Sequence, residues 1–123
     1  MANPDIEENG LNAVIAHENA AGRTSISRVR ACGFDLVSKK EDGSDERHIE
    51  VKATTKNRFT FRWLEELEQR ALESDDRFFL YLVTGAGTDT PRVLVYDRDK
   101  LNERFSEAIS HHVYVFPKAD FFP

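Results

Sequence analysis

One cysteine, Cys32, stands in the whole sequence, so no internal disulfide and no Cys-rich zinc site can form. A lone cysteine of this kind reads as a small buried hydrophobe before it reads as a nucleophile. No apolar run approaches the roughly 20 residues that cross a bilayer, and the N-terminus lacks the basic-then-apolar pattern of a signal peptide. The expectation is a cytoplasmic protein with no membrane partner. There is no internal repeat and no low-complexity stretch.

The 123 residues fit a single domain, 1–123, with room for one core. Apolar residues at 40% and charged residues at 32% give an ordinary globular balance, and nine Phe with three Tyr place much of the core in aromatic side chains. A net charge of -5 argues at first against nucleic acid as a partner. Its distribution says more. Residues 1–22 hold four acids and no Lys or Arg, residues 63–123 hold seven Lys/Arg against twelve acids, and residues 23–62 hold ten against six. The basic excess sits in the middle segment, which also carries the candidate site, but on charge alone a solvated mixed-charge surface is the favoured reading.

Asn3-Pro4-Asp5 is a helix start, and Ile6, Gly10, Val14, His17 and Ala21 recur at helical spacing before a stop at Gly22. Gly10 inside that helix costs about 1 kcal/mol relative to Ala, which implies close packing against another element. Residues 24–32 read as either a short helix or a strand. Phe34 to Ser38 reads as a strand, Lys39 to Asp45 as a polar turn, and Arg47 to Thr54 as its antiparallel partner. That partner alternates: His48, Glu50 and Lys52 share one face, Ile49, Val51 and Ala53 the other. Further strands are expected at 59–61, 78–83, 92–96 and 113–116, and helices over 63–73 and from Asp97 to about 109. The unbroken apolar run of 78–83 fits a strand covered on both faces. The sum is one mixed sheet flanked by helices, an α/β fold.

The chemistry lies on the hairpin. Glu50 and Lys52, two apart, point to one side, and the partner strand can bring Asp35 beside Glu50. Two neighbouring carboxylates repel unless a cation neutralises them, and they are the hard oxygen donors that Mg²⁺ or Mn²⁺ accepts. The Val51 carbonyl can add a ligand, and Lys52 can orient or deprotonate an attacking water. The plain structural alternative is a surface ion-pair ladder worth under about 1 kcal/mol.

Gly33-Phe34-Asp35-Leu36 with Ser38, followed by Glu46-Arg47-His48-Ile49-Glu50-Val51-Lys52-Ala53-Thr54, resembles the core of the domain named after the C-terminal region of the plant protein NO VEIN. That domain is grouped with the PD-(D/E)XK nuclease-like superfamily. The likeness extends to Ile6-Glu7-Glu8-Asn9-Gly10 with a later Glu18, to Phe59-Thr60-Phe61, to Phe79 through Val83, and to Pro91. The resemblance implies a restriction-endonuclease-like sheet. It makes Asp35 the second-motif acid and Glu50 and Lys52 the third motif. It asks for a further acid from the first helix: Glu7, with Glu8 and Glu18 as alternatives. Glu7 and Glu8 also suit a helix N-terminus simply as charges.

The implied function is Mg²⁺-dependent DNA phosphodiester hydrolysis, endonuclease-like and linked to restriction or defence. Asp35, Glu50, Glu7 and the Val51 carbonyl would hold metal. Lys39, Lys40, Lys56, Arg58 and Arg62 flank the hairpin and would meet phosphates, whereas Trp63 and Phe61 read as core before they read as base-stacking groups. His48 reads as a rim residue with its own structural partner. The rival is a non-catalytic nuclease-fold module for nucleic-acid or protein binding. A homodimer through Val113 to Pro123 is a third expectation.

Overall fold

The computed structural model describes residues 4–30, 33–57, 71 and 73–101. Expectations that fall on Cys32, Arg58, the strand at 59–61, Arg62, Trp63, most of the helix over 63–73, the helix beyond residue 101 and the segment Val113–Pro123 lie outside the described residues.

Helix α1 spans Pro4–Ala20, with Asp5 and Glu7 in its first turn and Gly22 just past its end at φ 81°. Five strands follow: β1 (Ser25–Arg28), β2 (Leu36–Lys39), β3 (Arg47–Ala53), β4 (Phe78–Thr84) and β5 (Arg92–Asp97). The stretch at 24–32 thus contains a strand, and the hairpin of β2 and β3 forms as the alternation predicted. All five lie in one sheet, side by side in chain order, with every pairing antiparallel except that of β3 with β4. The fold is a mixed α/β sheet. Residues 98–101 are helical, and the Lys100 amide donates to Asp97 Oδ1 at 2.7 Å, so Asp97 caps that turn as the sequence implied.

The core follows from the pleat. Leu36, Ile49, Tyr81 and Val83 are buried on the face covered by α1, together with Val14 of the helix itself. Leu80 and Leu82 alternate to the opposite face and are equally buried, so β4 is covered on both sides. The helix presents Gly10, Val14 and Glu18 inward, every fourth residue, and leaves His17 and Ala21 exposed. Periodicity of apolar residues alone placed His17 on that stripe; an acid holds the position instead, for a reason given below.

Gly10 is the point of closest approach. A Cβ built there would fall 2.6 Å from the Ala53 Cβ and 3.6 Å from Val51 Cγ1, so the helix rests directly on β3. Gly10→Val should therefore overpack the contact and cost roughly 1–3 kcal/mol, read by urea unfolding. Ala53→Gly in the same chain should return part of that loss; a Gly10→Val chain as stable as its parent would show that no such contact exists.

Candidate functional site

Asp35 lies one residue before β2 and is fixed at three points. Its amide donates to the Ile49 carbonyl (2.8 Å), its carbonyl accepts from the Val29 amide (2.9 Å), and its Oδ2 accepts from the Val51 amide (2.9 Å). The pairing Leu36↔Ile49 and Val37↔His48, extended by one step, sets Asp35 across from Glu50. The side chain thus takes over the β3 edge where the backbone of β2 stops offering acceptors. Within a strand, the N–H and C=O of one residue leave on the same edge. The Val51 carbonyl is therefore directed to the edge that Asp35 faces.

Glu50 is only 5% exposed. Its neighbours across the parallel pairing are apolar: Leu80 stands beside Glu50, and Leu82 beside Lys52, both fully buried. A carboxylate on such a wall loses hydration and requires a compensating partner. Lys52 Nζ supplies one at 3.4 Å from Glu50 Oε2, with its side chain 23% exposed. Glu50 and Lys52 thus share one face of β3, and Asp35, just ahead of β2, is tied to β3 between them through the Val51 amide.

The first-helix acids stand elsewhere. Glu7 is exposed on α1, and among the described residues it makes no hydrogen bond or ion pair. Glu8 forms a two-pronged pair with Arg28 of β1, its Oε1 and Oε2 accepting from Nη1 and Nη2 at 2.9 and 2.7 Å. That bond to Arg28 holds the Glu8 carboxyl below its ordinary range. Glu18 is fully buried on the α1 face. Ser38 Oγ donates to its Oε1 at 3.0 Å, and Arg23 Nε lies 3.3 Å from the same oxygen. Arg23, itself 3% exposed, also donates from Nη1 to Asp45 Oδ2 at 2.7 Å. Burial, reinforced by the Glu18 charge, pushes the Tyr81 hydroxyl up to about 12, even though Arg47 Nη1 donates to it at 2.9 Å. This interior polar network was missed by the sequence reading. The signal for it was Glu18 standing four residues after Val14, in phase with Gly10.

Of the cations expected to meet phosphate, the described ones, Lys39, Lys40 and Lys56, stand at the two ends of β3. Lys40 sits in the β2–β3 turn and Lys56 follows the far end of β3, separated by a strand roughly 20 Å long. Lys39 Nζ is 3.6 Å from Glu46 Oε1, so its charge is partly committed.

His48 is the rim residue the sequence implied. Its Nδ1 is 2.5 Å from Asp75 Oδ2, its Nε2 is 2.5 Å from Glu46 Oε2, and its ring stacks on Phe34 at 4.5 Å. Partial burial works against a charged ring, but the bonds to Asp75 and Glu46 and their charges outweigh it, and the imidazole is held above its ordinary value. The sign follows: the stabilisation is complete below the unfolded-chain value of about 6.5 and is lost as pH rises through the raised folded value. The melting temperature should accordingly fall across that window, and His48→Gln should flatten the fall. An equally steep decline in the variant would assign the titration to another group.

A family model described as "Protein NO VEIN, C-terminal" matches residues 6–96, from the first turns of α1 to the end of β5. No curated protein and no solved structure matches the chain. The match takes in Asp35, Glu50, Lys52 and the close contact at Gly10, and it spans well over half of the sequence. The chain belongs to the family of the C-terminal region of protein NO VEIN.

Proposed function

We propose that this domain is a metal-dependent phosphodiesterase acting on DNA, built on the PD-(D/E)XK nuclease-like plan. The observation that carries the proposal is the placement of Glu50: an acid 5% exposed against Leu80 and Leu82, with an ammonium 3.4 Å away and a second acid pinned to the next residue's amide. A desolvated carboxylate set beside Lys and Asp is costly to maintain for structure alone, and such costs concentrate where chemistry is done.

The donor set fits a small hard cation. Asp35 and Glu50 contribute carboxylate oxygens, and the Val51 carbonyl shares their edge. Among the described residues no three His, Cys, Asp or Glu side chains are grouped as a cation site. Two carboxylates still suit Mg²⁺ or Mn²⁺, which keep waters and bind substrate phosphate through their remaining positions. When bound, such an ion supplies Lewis-acid polarisation of a phosphoryl oxygen. Lys52 would then have two tasks: holding the attacking water, and offsetting the negative charge that gathers on the phosphoryl oxygens. The bond from the Val51 amide keeps Asp35 from swinging away. Glu7 joins the set only through the family likeness. The wider DNA contact would fall to Lys56, Arg58, Arg62, Lys39 and Lys40, and a place in restriction or defence goes with the same likeness.

The second reading is a binding module whose acids serve the fold. The mutual neutralisation of Glu50 and Lys52 and the net charge of -5 favour it. Cleavage of mixed DNA substrates in Mg²⁺ or Mn²⁺ separates the two. Lys52→Ala and Asp35→Ala should each lower the rate by about a hundredfold or more, and titration with Mn²⁺ should release heat and raise the melting temperature. Cutting that persists in both variants, or a protein indifferent to Mn²⁺, would leave the binding module as the answer.

A further inference from the structure

We infer that the cleft at the carboxyl ends of β3 and β4 is an anion subsite that takes a backbone phosphate of DNA beside the proposed cut. Its nucleic-acid identity rests on the proposed function; its anion chemistry does not. The cleft has a volume of about 600 Å³, within the range that holds a small ligand or a nucleotide unit. Its polar lining is Thr55, Asn57, Thr84, Thr88, Thr90 and Arg92. Among the described residues no carboxylate lines it, in a chain whose acids outnumber its Lys and Arg by 22 to 17. Asp89 lies on the same loop but outside the lining.

Thr84 is the sharpest sign. It is 3% exposed, and among the described residues its hydroxyl has no hydrogen-bond partner. Buried hydroxyls are nearly always satisfied, so one left open in the wall of a cleft points to a ligand that satisfies it. The Thr55 and Thr90 hydroxyls, the Asn57 amide and the exposed Arg92 guanidinium likewise make no side-chain bond among the described residues. They supply donors of the kind phosphate oxygens accept. Thr88, by contrast, is spent on the loop: its Oγ1 donates to the Gly85 carbonyl at 2.6 Å and accepts from the Thr90 amide at 3.3 Å.

The walls are fixed before any ligand arrives. The Gly85 amide donates to the Lys56 carbonyl (2.8 Å) and the Ala86 amide to the Thr54 carbonyl (2.9 Å), so the segment after β3 and the segment after β4 are stitched together. Gly85 has φ 61°, and a Cβ there would lie 3.0 Å from both Thr88 Oγ1 and the Thr90 carbonyl, which makes the tight turn a glycine position. Donors held in this way lose little entropy on binding. Position supports the assignment as well. Thr55 follows Lys52 by only three residues, so the cleft adjoins the proposed site. The open crevice beyond the carboxyl ends of parallel strands is also where α/β sheets commonly take ligands.

The test is binding of a short DNA duplex to the full chain in EDTA, followed by fluorescence anisotropy over a range of salt. Arg92→Gln should weaken binding about tenfold and lower the salt slope by about one, as loss of a single phosphate contact does. Thr84→Val should weaken binding while leaving the melting temperature unchanged or higher, an outcome that damage to the fold would not give. Inorganic phosphate should compete with DNA in the parent and less well in Arg92→Gln. Unchanged DNA binding in both variants overturns the inference, as does phosphate binding that depends on Arg92 without any DNA binding. If the variants weaken binding but no metal supports cutting, the proposed hydrolysis fails and the subsite stands. If cutting depends on Lys52 while both variants bind normally, the reverse holds.

Discussion

The domain depends on strand β3 meeting four demands with seven residues. One edge gives backbone bonds to β2 and then to the Asp35 side chain, and the other pairs in parallel with β4. One face lies under α1, close enough at Ala53 that only a glycine fits opposite; the other carries Glu50 and Lys52. A shift of one residue in register would send Glu50 and Lys52 under the helix and turn Ile49 and Val51 outward. Burial of Ile49, Leu36, Tyr81 and Val83, each worth about 1.5–3 kcal/mol for large side chains, makes that slip prohibitive. The apolar core thus decides where the acids stand.

Two buried charge systems share this sheet on opposite faces. Under α1, the Glu18 carboxylate is enclosed by Arg23 and Ser38, and Arg23 reaches on to Asp45 at the end of the β2–β3 turn. Every polar group there meets a counterpart from a different element, so the network ties helix, hairpin and turn together. A pair of this kind adds little net stability over apolar packing but is costly to break. On the far face, Glu50 and Lys52 come from one strand, with Lys52 Nζ 3.4 Å from Glu50 Oε2.

Much of this was legible in the residues, and where it was not the cause is physical. Alternation along 47–54 gave the faces of β3, because the strand period and the apolar pattern agree there. Gly10 announced its close contact because a glycine in mid-helix has a cost that packing must offset. Residues 24–32 gave no clear period: β1 is a four-residue edge strand with mostly exposed side chains, so neither face writes a hydrophobic signal. Glu18 stood only as an alternative to Glu7 for the site acid that the resemblance asks for, since apolar periodicity does not register a charged residue that is buried by being paired. Asp35 was placed within a strand, yet it caps the strand edge, since short polar side chains imitate a backbone acceptor. The threonine-rich cleft escaped notice because hydroxyls separated by some thirty positions converge only once β3 and β4 pair in parallel.

That parallel pairing also bears on how the chain collapses. Leu36 meets Ile49 across 13 positions, whereas His48 meets Phe78 across 30. Closing the longer loop costs roughly 0.7 kcal/mol more chain entropy than closing the shorter, and a crossover must form before any of its contacts repay it. The hairpin is the cheaper nucleus. In it Asp35 and Glu50 can approach one another while water still surrounds them, and dehydration of Glu50 waits until Leu80 and Leu82 arrive. The cost of stripping water from an acid thus falls on the step that brings β4 alongside β3.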